Sequence, residues 1–215
     1  MASHSIPLLV VLLGSLPAGW AGALFARKLA EDNRPSAFMM VGACVALGVW
    51  AELIMPSVPL LGISCVLGWA LLLLATVDAL ALRLPDILTL PLIAAGLAAS
   101  WWLPDHDFAG HAVAAVIALL AFYMIAAVYQ RTRHQEGLGL GDVKLAGAAG
   151  AWLGWQALPY VVLLACALGL VWVGVAVMRR GRDAARERIP FGIALCFAIW
   201  IVWLYGPPEL FGPIF

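Results

Sequence analysis

Residues 59–78 read PLLGISCVLGWALLLLATVD, an uncharged run of nineteen residues that closes on a carboxylate, Asp78. About twenty apolar residues, wound as a helix, cross the hydrocarbon core of a bilayer. A carboxylate at the edge of such a run is costly unless it faces protein or water. The same signal recurs at 6–26, 38–55, 87–103, 111–129, 143–156, 158–178 and 190–206. The expected fold is therefore an all-α, polytopic membrane helical bundle of about eight transmembrane helices, forming one integral membrane domain over 1–215. The segment 143–156 is short and rich in Gly and Ala. It is either a half-span or runs on into the next helix through residues 155–158.

Composition agrees. The chain of 215 residues is 65% apolar and 11% charged, with a mean hydropathy of +1.01. Soluble domains are nearer half apolar and a quarter charged. Twelve basic residues balance twelve acidic ones, which gives no reason to expect a nucleic-acid partner. With the N-terminus outside, the cytoplasmic segments collect Arg27, Lys28 and Arg34, then Arg83, then Arg131, Arg133 and Lys144, then Arg179, Arg180, Arg182, Arg186 and Arg188. That is every Lys and Arg in the chain. Positive charge in short loops sets orientation, so both termini are expected on the non-cytoplasmic side. No positive charge precedes the first segment and two follow it, which favours a retained helix over a cleaved signal. The cysteines, Cys44, Cys65, Cys166 and Cys196, form no CxxC pair and read as small apolar packing residues.

Chemistry concentrates around two acids. Asp78 ends the third segment, and Asp142 opens the sixth within Gly137-Leu138-Gly139-Leu140-Gly141-Asp142-Val143-Lys144-Leu145. Glycines beside a working carboxylate let backbones approach and leave room for an extended peptide. After Asp78 comes Arg83-Leu84-Pro85-Asp86-Ile87-Leu88-Thr89-Leu90-Pro91. There Pro85 and Pro91 bracket a helix start, and Asp86 complements its free amides and dipole.

These pieces, with Gly150-Ala151-Trp152-Leu153-Gly154 and Ile189-Pro190-Phe191-Gly192, resemble the type IV prepilin peptidases, a GXGD class of membrane aspartyl protease, over about residues 70–205. The resemblance implies that Asp78 and Asp142 are the catalytic pair, supported by Gly139, Gly141, Lys144, Pro85 and a structural Asp86. It also implies a substrate, the prepilin of a type IV pilus or the pseudopilin of type II secretion, cut after its basic leader at the cytoplasmic face of a bacterial inner membrane. In aspartyl chemistry two carboxyls share one proton and activate a water between them. No metal or cofactor is expected. Lys144 lies two residues from Asp142, on a different helix face, and reads as an interfacial anchor.

Long members of the family carry a zinc-binding insert with two CxxC pairs after the first span, and they also methylate the cleaved pilin. Here 26–37 contains no cysteine, and Leu13-Gly14-Ser15 followed by 24–29 resembles a worn form of the family's Gly-Ser-Phe-Leu-Asn start. N-methyltransferase activity is thus left unsupported, whereas proteolysis is not affected.

The remaining features have simpler readings. Asp105, His106, Asp107 and His111 form an acid–histidine cluster whose residue types permit a metal, though a solvated outer loop accounts for them. Glu52 reads as interfacial. Trp50, Trp101, Trp102, Trp155 and Trp203 read as an aromatic belt, and the arginines of 179–188 as contacts to lipid headgroups. Two other function classes use the same acids: a proton- or cation-coupled transporter with Asp78 and Asp142 as relay, and a catalytically idle scaffold of a pilus or secretion machine. Against the first, both acids lie at one face and no repeated half is evident. Against the second, both acids keep their glycines.

Overall fold

All eight apolar segments form helices, each starting and ending within four residues of the expected limits. The computed structural model describes residues 5–29, 36–103, 107–133, 138–181 and 190–207, and among these it contains no strand. The helices are α1 (Ser5–Leu29), α2 (Ala37–Ile54), α3 (Val58–Ala81), α4 (Asp86–Trp102), α5 (Phe108–Arg133), α6 (Leu140–Leu153), α7 (Leu158–Arg180) and α8 (Phe191–Tyr205). Prolines sit in the first turns of α3 and α7, where the missing N–H has no intrahelical partner to lose.

Among the described residues four helices, α2, α3, α5 and α7, are long and apolar enough to cross a membrane. Leu120 and Met124 of α5, and Leu163, Leu170 and Met178 of α7, are exposed. Such faces match lipid as solvent, not water. α6 has fourteen residues and rises about 21 Å, short of a core of about 30 Å. It does not run on into α7, because Gly154 closes it at φ 74°.

The chain divides into two compact units, Met1–Arg83 and Leu84–Phe215. In the first, α1, α2 and α3 pack on one another through small residues. A Cβ at Gly19 would stand 2.6 Å from the Val41 Cα, and one at Gly14 would meet the Trp69 ring at 2.5 Å. The Trp69 indole donates to the Cys44 carbonyl at 3.1 Å. Ser15, fully buried, returns its hydroxyl to the Val11 carbonyl at 2.7 Å, so its polarity is satisfied within its own helix. Cys44 and Cys65 are buried here.

In the second unit α6 packs against α4, α5, α7 and α8, and nearly all of its residues from Val143 to Trp152 are buried. Small side chains permit this crowding. A Cβ at Gly150 would lie 2.5 Å from the Ala114 carbonyl oxygen of α5, and Gly147 faces Leu119 as closely. Trp152 is a large side chain that joins three helices. Its indole N–H donates to the Leu92 carbonyl of α4 at 2.8 Å, and its ring meets Trp203 of α8 edge-on at 5.4 Å. Gly96 makes room for that indole, since a Cβ there would be 2.5 Å from the Trp152 ring. Trp203 is thus partly a packing residue, whereas Trp101, Trp102 and Trp155 are exposed as a belt requires.

Valine at Gly150 is expected to cost about 1–3 kcal/mol, read as a lower Tm of the detergent-purified protein. Gly62→Val, where a Cβ meets nothing within 4 Å, is the matched control and should not lower Tm.

Candidate active site

Asp78 belongs to the first unit. The sequence places it just after the apolar run, but α3 continues to Ala81, so the acid lies in the last helical turn and is only 5% exposed. The turn closes on Leu82, whose φ of 50° makes it the single non-glycine residue with positive φ among those described. The Leu82 N–H reaches back to the Asp78 carbonyl at 2.9 Å, ending the helix in the left-handed conformation usually left to glycine.

The second unit brings two motif segments into contact. Gly139 caps α6 in extended conformation, and its carbonyl accepts from the Asp142 and Val143 amides at 3.1 and 3.3 Å. Asp142 falls in the first turn, half exposed, with Oδ2 folded back over Gly139. That end of a helix stabilises negative charge. Gly141 is pressed onto the turn that precedes α4. A Cβ there would come within 2.5 Å of the Leu84 Cβ and 3.2 Å of the Leu84 carbonyl oxygen, so no other residue fits without displacing the turn.

Pro85 caps α4, and its carbonyl accepts from the Leu88 and Thr89 amides at 3.0 and 3.2 Å. Asp86 is the first residue of the helix, and no side-chain cap bond is made there. Instead, Asp86 Oδ1 accepts from the Lys144 Nζ at 2.5 Å. The pair ties the starts of α4 and α6 together, a partnership that neither the capping reading of Asp86 nor the anchor reading of Lys144 anticipates. Opposite charges in two neighbouring motifs were the available signal. Pro91, expected to bracket the helix start, lies inside α4.

The acid–histidine cluster divides. Asp105 and His106 lie outside the described residues. The Asp107 carboxylate accepts from the Ala109 amide at 3.0 Å, holding the start of α5. His111, expected in a solvated loop, is buried within α5, with Nδ1 3.0 Å from the Ala151 carbonyl oxygen. A carbonyl can only accept, so Nδ1 carries the proton.

The sequence pattern of the type IV leader peptidase family matches residues 65–174, a stretch that takes in both acids and half of the chain. The chain belongs to the type IV leader peptidase family. Among its relatives, a prepilin leader peptidase/N-methyltransferase of Burkholderia pseudomallei is 39% identical over 139 residues, covering 65% of this chain and 45% of that protein. Proteins of the same name from Aeromonas salmonicida and Pseudomonas aeruginosa are 38% and 35% identical, covering 66% and 67% of this chain and 49% and 50% of theirs. The chain thus spans about half the length of the curated relatives it matches. No solved structure matches it.

Lys144 and Asp86 are 28% and 61% exposed, so their pairing is screened by solvent. A double-mutant cycle of Lys144→Met and Asp86→Asn, read by thermal unfolding in detergent, should give a coupling of about 1 kcal/mol or less. Replacing His111 by Leu, which strips the Ala151 carbonyl of its imidazole partner, should cost about 1–3 kcal/mol.

Proposed function

We propose that this protein is a membrane aspartyl endopeptidase that removes the basic leader of a prepilin or pseudopilin. The observation that carries this is the family match across 65–174, which includes the acids of both motif segments. On this reading Asp78 and Asp142 supply the two carboxyls. One, ionised, takes a proton from water, and the resulting oxygen attacks the scissile carbonyl carbon. The other, protonated, gives its proton to the carbonyl oxygen. The gem-diol then collapses: the C–N bond breaks, the leaving amine takes a proton from the carboxyl that accepted one from water, and a gem-diol hydroxyl returns its proton to the other carboxylate as the product carbonyl forms.

Asp86 is assigned a structural part, supported by its ion pair with Lys144. Gly141 is assigned the seating of the first turn of α6, and Gly139 an unencumbered helix start. The twelve basic residues support an arrangement of eight spans with both termini on the non-cytoplasmic side. They support a reaction at the cytoplasmic face, where a leader would arrive, and on this reading the membrane is a bacterial inner membrane. The relatives carry N-methyltransferase in their names, but the proposal for this chain is limited to proteolysis, because residues 26–37 contain none of the cysteines of the metal-binding insert.

Purified protein incubated with a pseudopilin-like precursor should cut after the leader. Asp78→Asn and Asp142→Asn should each abolish cleavage, and Asp86→Asn should retain it. Cleavage that survives Asp78→Asn would move the catalytic role to Asp86. Absence of cleavage, with proton flux into liposomes, would identify a transporter instead. Gly141→Ala, which forces a shift of roughly an ångström at the start of α6, should lower the rate about a hundredfold with the fold retained. The mass of the product's new N-terminus reports any methylation.

A further inference from the structure

Between α7 and α8 lies an apolar groove of about 320 Å³, lined on α7 by Leu168, Trp172 and Val175 and on α8 by Pro190, Ile193 and Phe197. None of its lining side chains is charged. On α7, residues 168, 172, 175 and 179 recur at the spacing of a single helix stripe. That stripe therefore leads from the groove to Arg179, exposed in the last turn of α7. Pro190, which opens α8, lines the groove at this same loop end. A narrow apolar slot that ends on a cation where a membrane helix finishes matches a molecule with an apolar tail and an anionic head.

We propose that this groove binds one acyl chain of an anionic phospholipid, with the lipid phosphate held by Arg179. The proposal rests on α7 crossing the membrane and is independent of the peptidase reading. Gly169 also lines the groove, and a Cβ there meets nothing nearer than the Phe191 ring at 3.9 Å. A larger side chain at this position fills the slot without moving backbone.

The test is native mass spectrometry of the full chain released from detergent with phosphatidylglycerol or phosphatidylcholine of identical acyl chains. Wild type should retain phosphatidylglycerol in preference. Arg179→Gln should reduce that retention about fivefold, the effect of one basic residue at an anionic surface, and leave phosphatidylcholine unchanged. Gly169→Leu should remove both lipids, with Ala194→Leu as a second filling variant should the first not fold. Equal retention of the two lipids by wild type overturns the proposal, as does phosphatidylglycerol that persists in both filling variants. A wild-type dimer that Gly169→Leu splits would assign the groove to a second copy, and loss of lipid on adding a pilin-like precursor would assign it to substrate. Either result also overturns the proposal.

Discussion

A methyl group at Gly141 would stand 2.5 Å from the Leu84 Cβ, and much of the second unit's arrangement near Asp142 depends on its absence. Because the glycine is bare, the first turn of α6 lies directly on the turn that leads into α4. That contact carries Asp142 to the surface of α6 and brings Lys144 within reach of Asp86. The ion pair alone could not set this geometry. It is largely solvated and weak, whereas overlap of backbone and Cβ atoms is unyielding over tenths of an ångström.

The same constraint runs along α6 to its other end. A helix shorter than the hydrocarbon core is thick, and buried along most of its length, must satisfy its terminal carbonyls with protein groups, because lipid offers none. The Gly154 amide takes the Gly150 carbonyl at 3.0 Å, and His111 takes that of Ala151 at 3.0 Å. Gly154 adopts a φ that favours glycine, and a Cβ there would stand 3.4 Å from the His111 Nε2. Glycine at 147 and 150 then brings α5 close enough for His111 to reach. The Gly and Ala content of α6, which in the sequence looks like a weak membrane signal, is the condition for burying this helix among α4, α5, α7 and α8.

The helices are legible because one property, hydropathy sustained over a helix length, marks where each lies in the chain. The Asp142 motif is legible because glycines at 137, 139 and 141 alternate ahead of a single acid at the edge of an apolar segment. What was not legible depends on contacts between distant segments. His111 reads as a loop histidine because its neighbours Asp105, His106 and Asp107 are polar, yet its position on the buried face of α5 is set by Ala114, Ala115 and Ala118, which line that face. Asp86 has the residue type and place of a helix cap, and only the approach of α6 at Gly141 supplies the lysine that engages it. Asp78 was read at the helix edge because hydropathy stops there, although the helix itself continues to a cap at Leu82.

The order of residues in Gly139-Leu140-Gly141-Asp142-Val143-Lys144 follows from these contacts. Gly139 brings no hydroxyl or carboxylate to the cap, so Asp142 is the one acid of the first turn and its charge has the helix end to itself. Two residues on, Lys144 has turned about 200° around the helix, away from Asp142 and onto the side facing α4. A lysine one turn later would stand above Asp142 on the same face. At 144 it meets Asp86 instead, so the two helix-start acids of this unit have different surroundings. The spacing between acid and lysine is thus a matter of which carboxylate the ammonium serves, and the spacing between glycine and acid is a matter of how closely two backbones must pass.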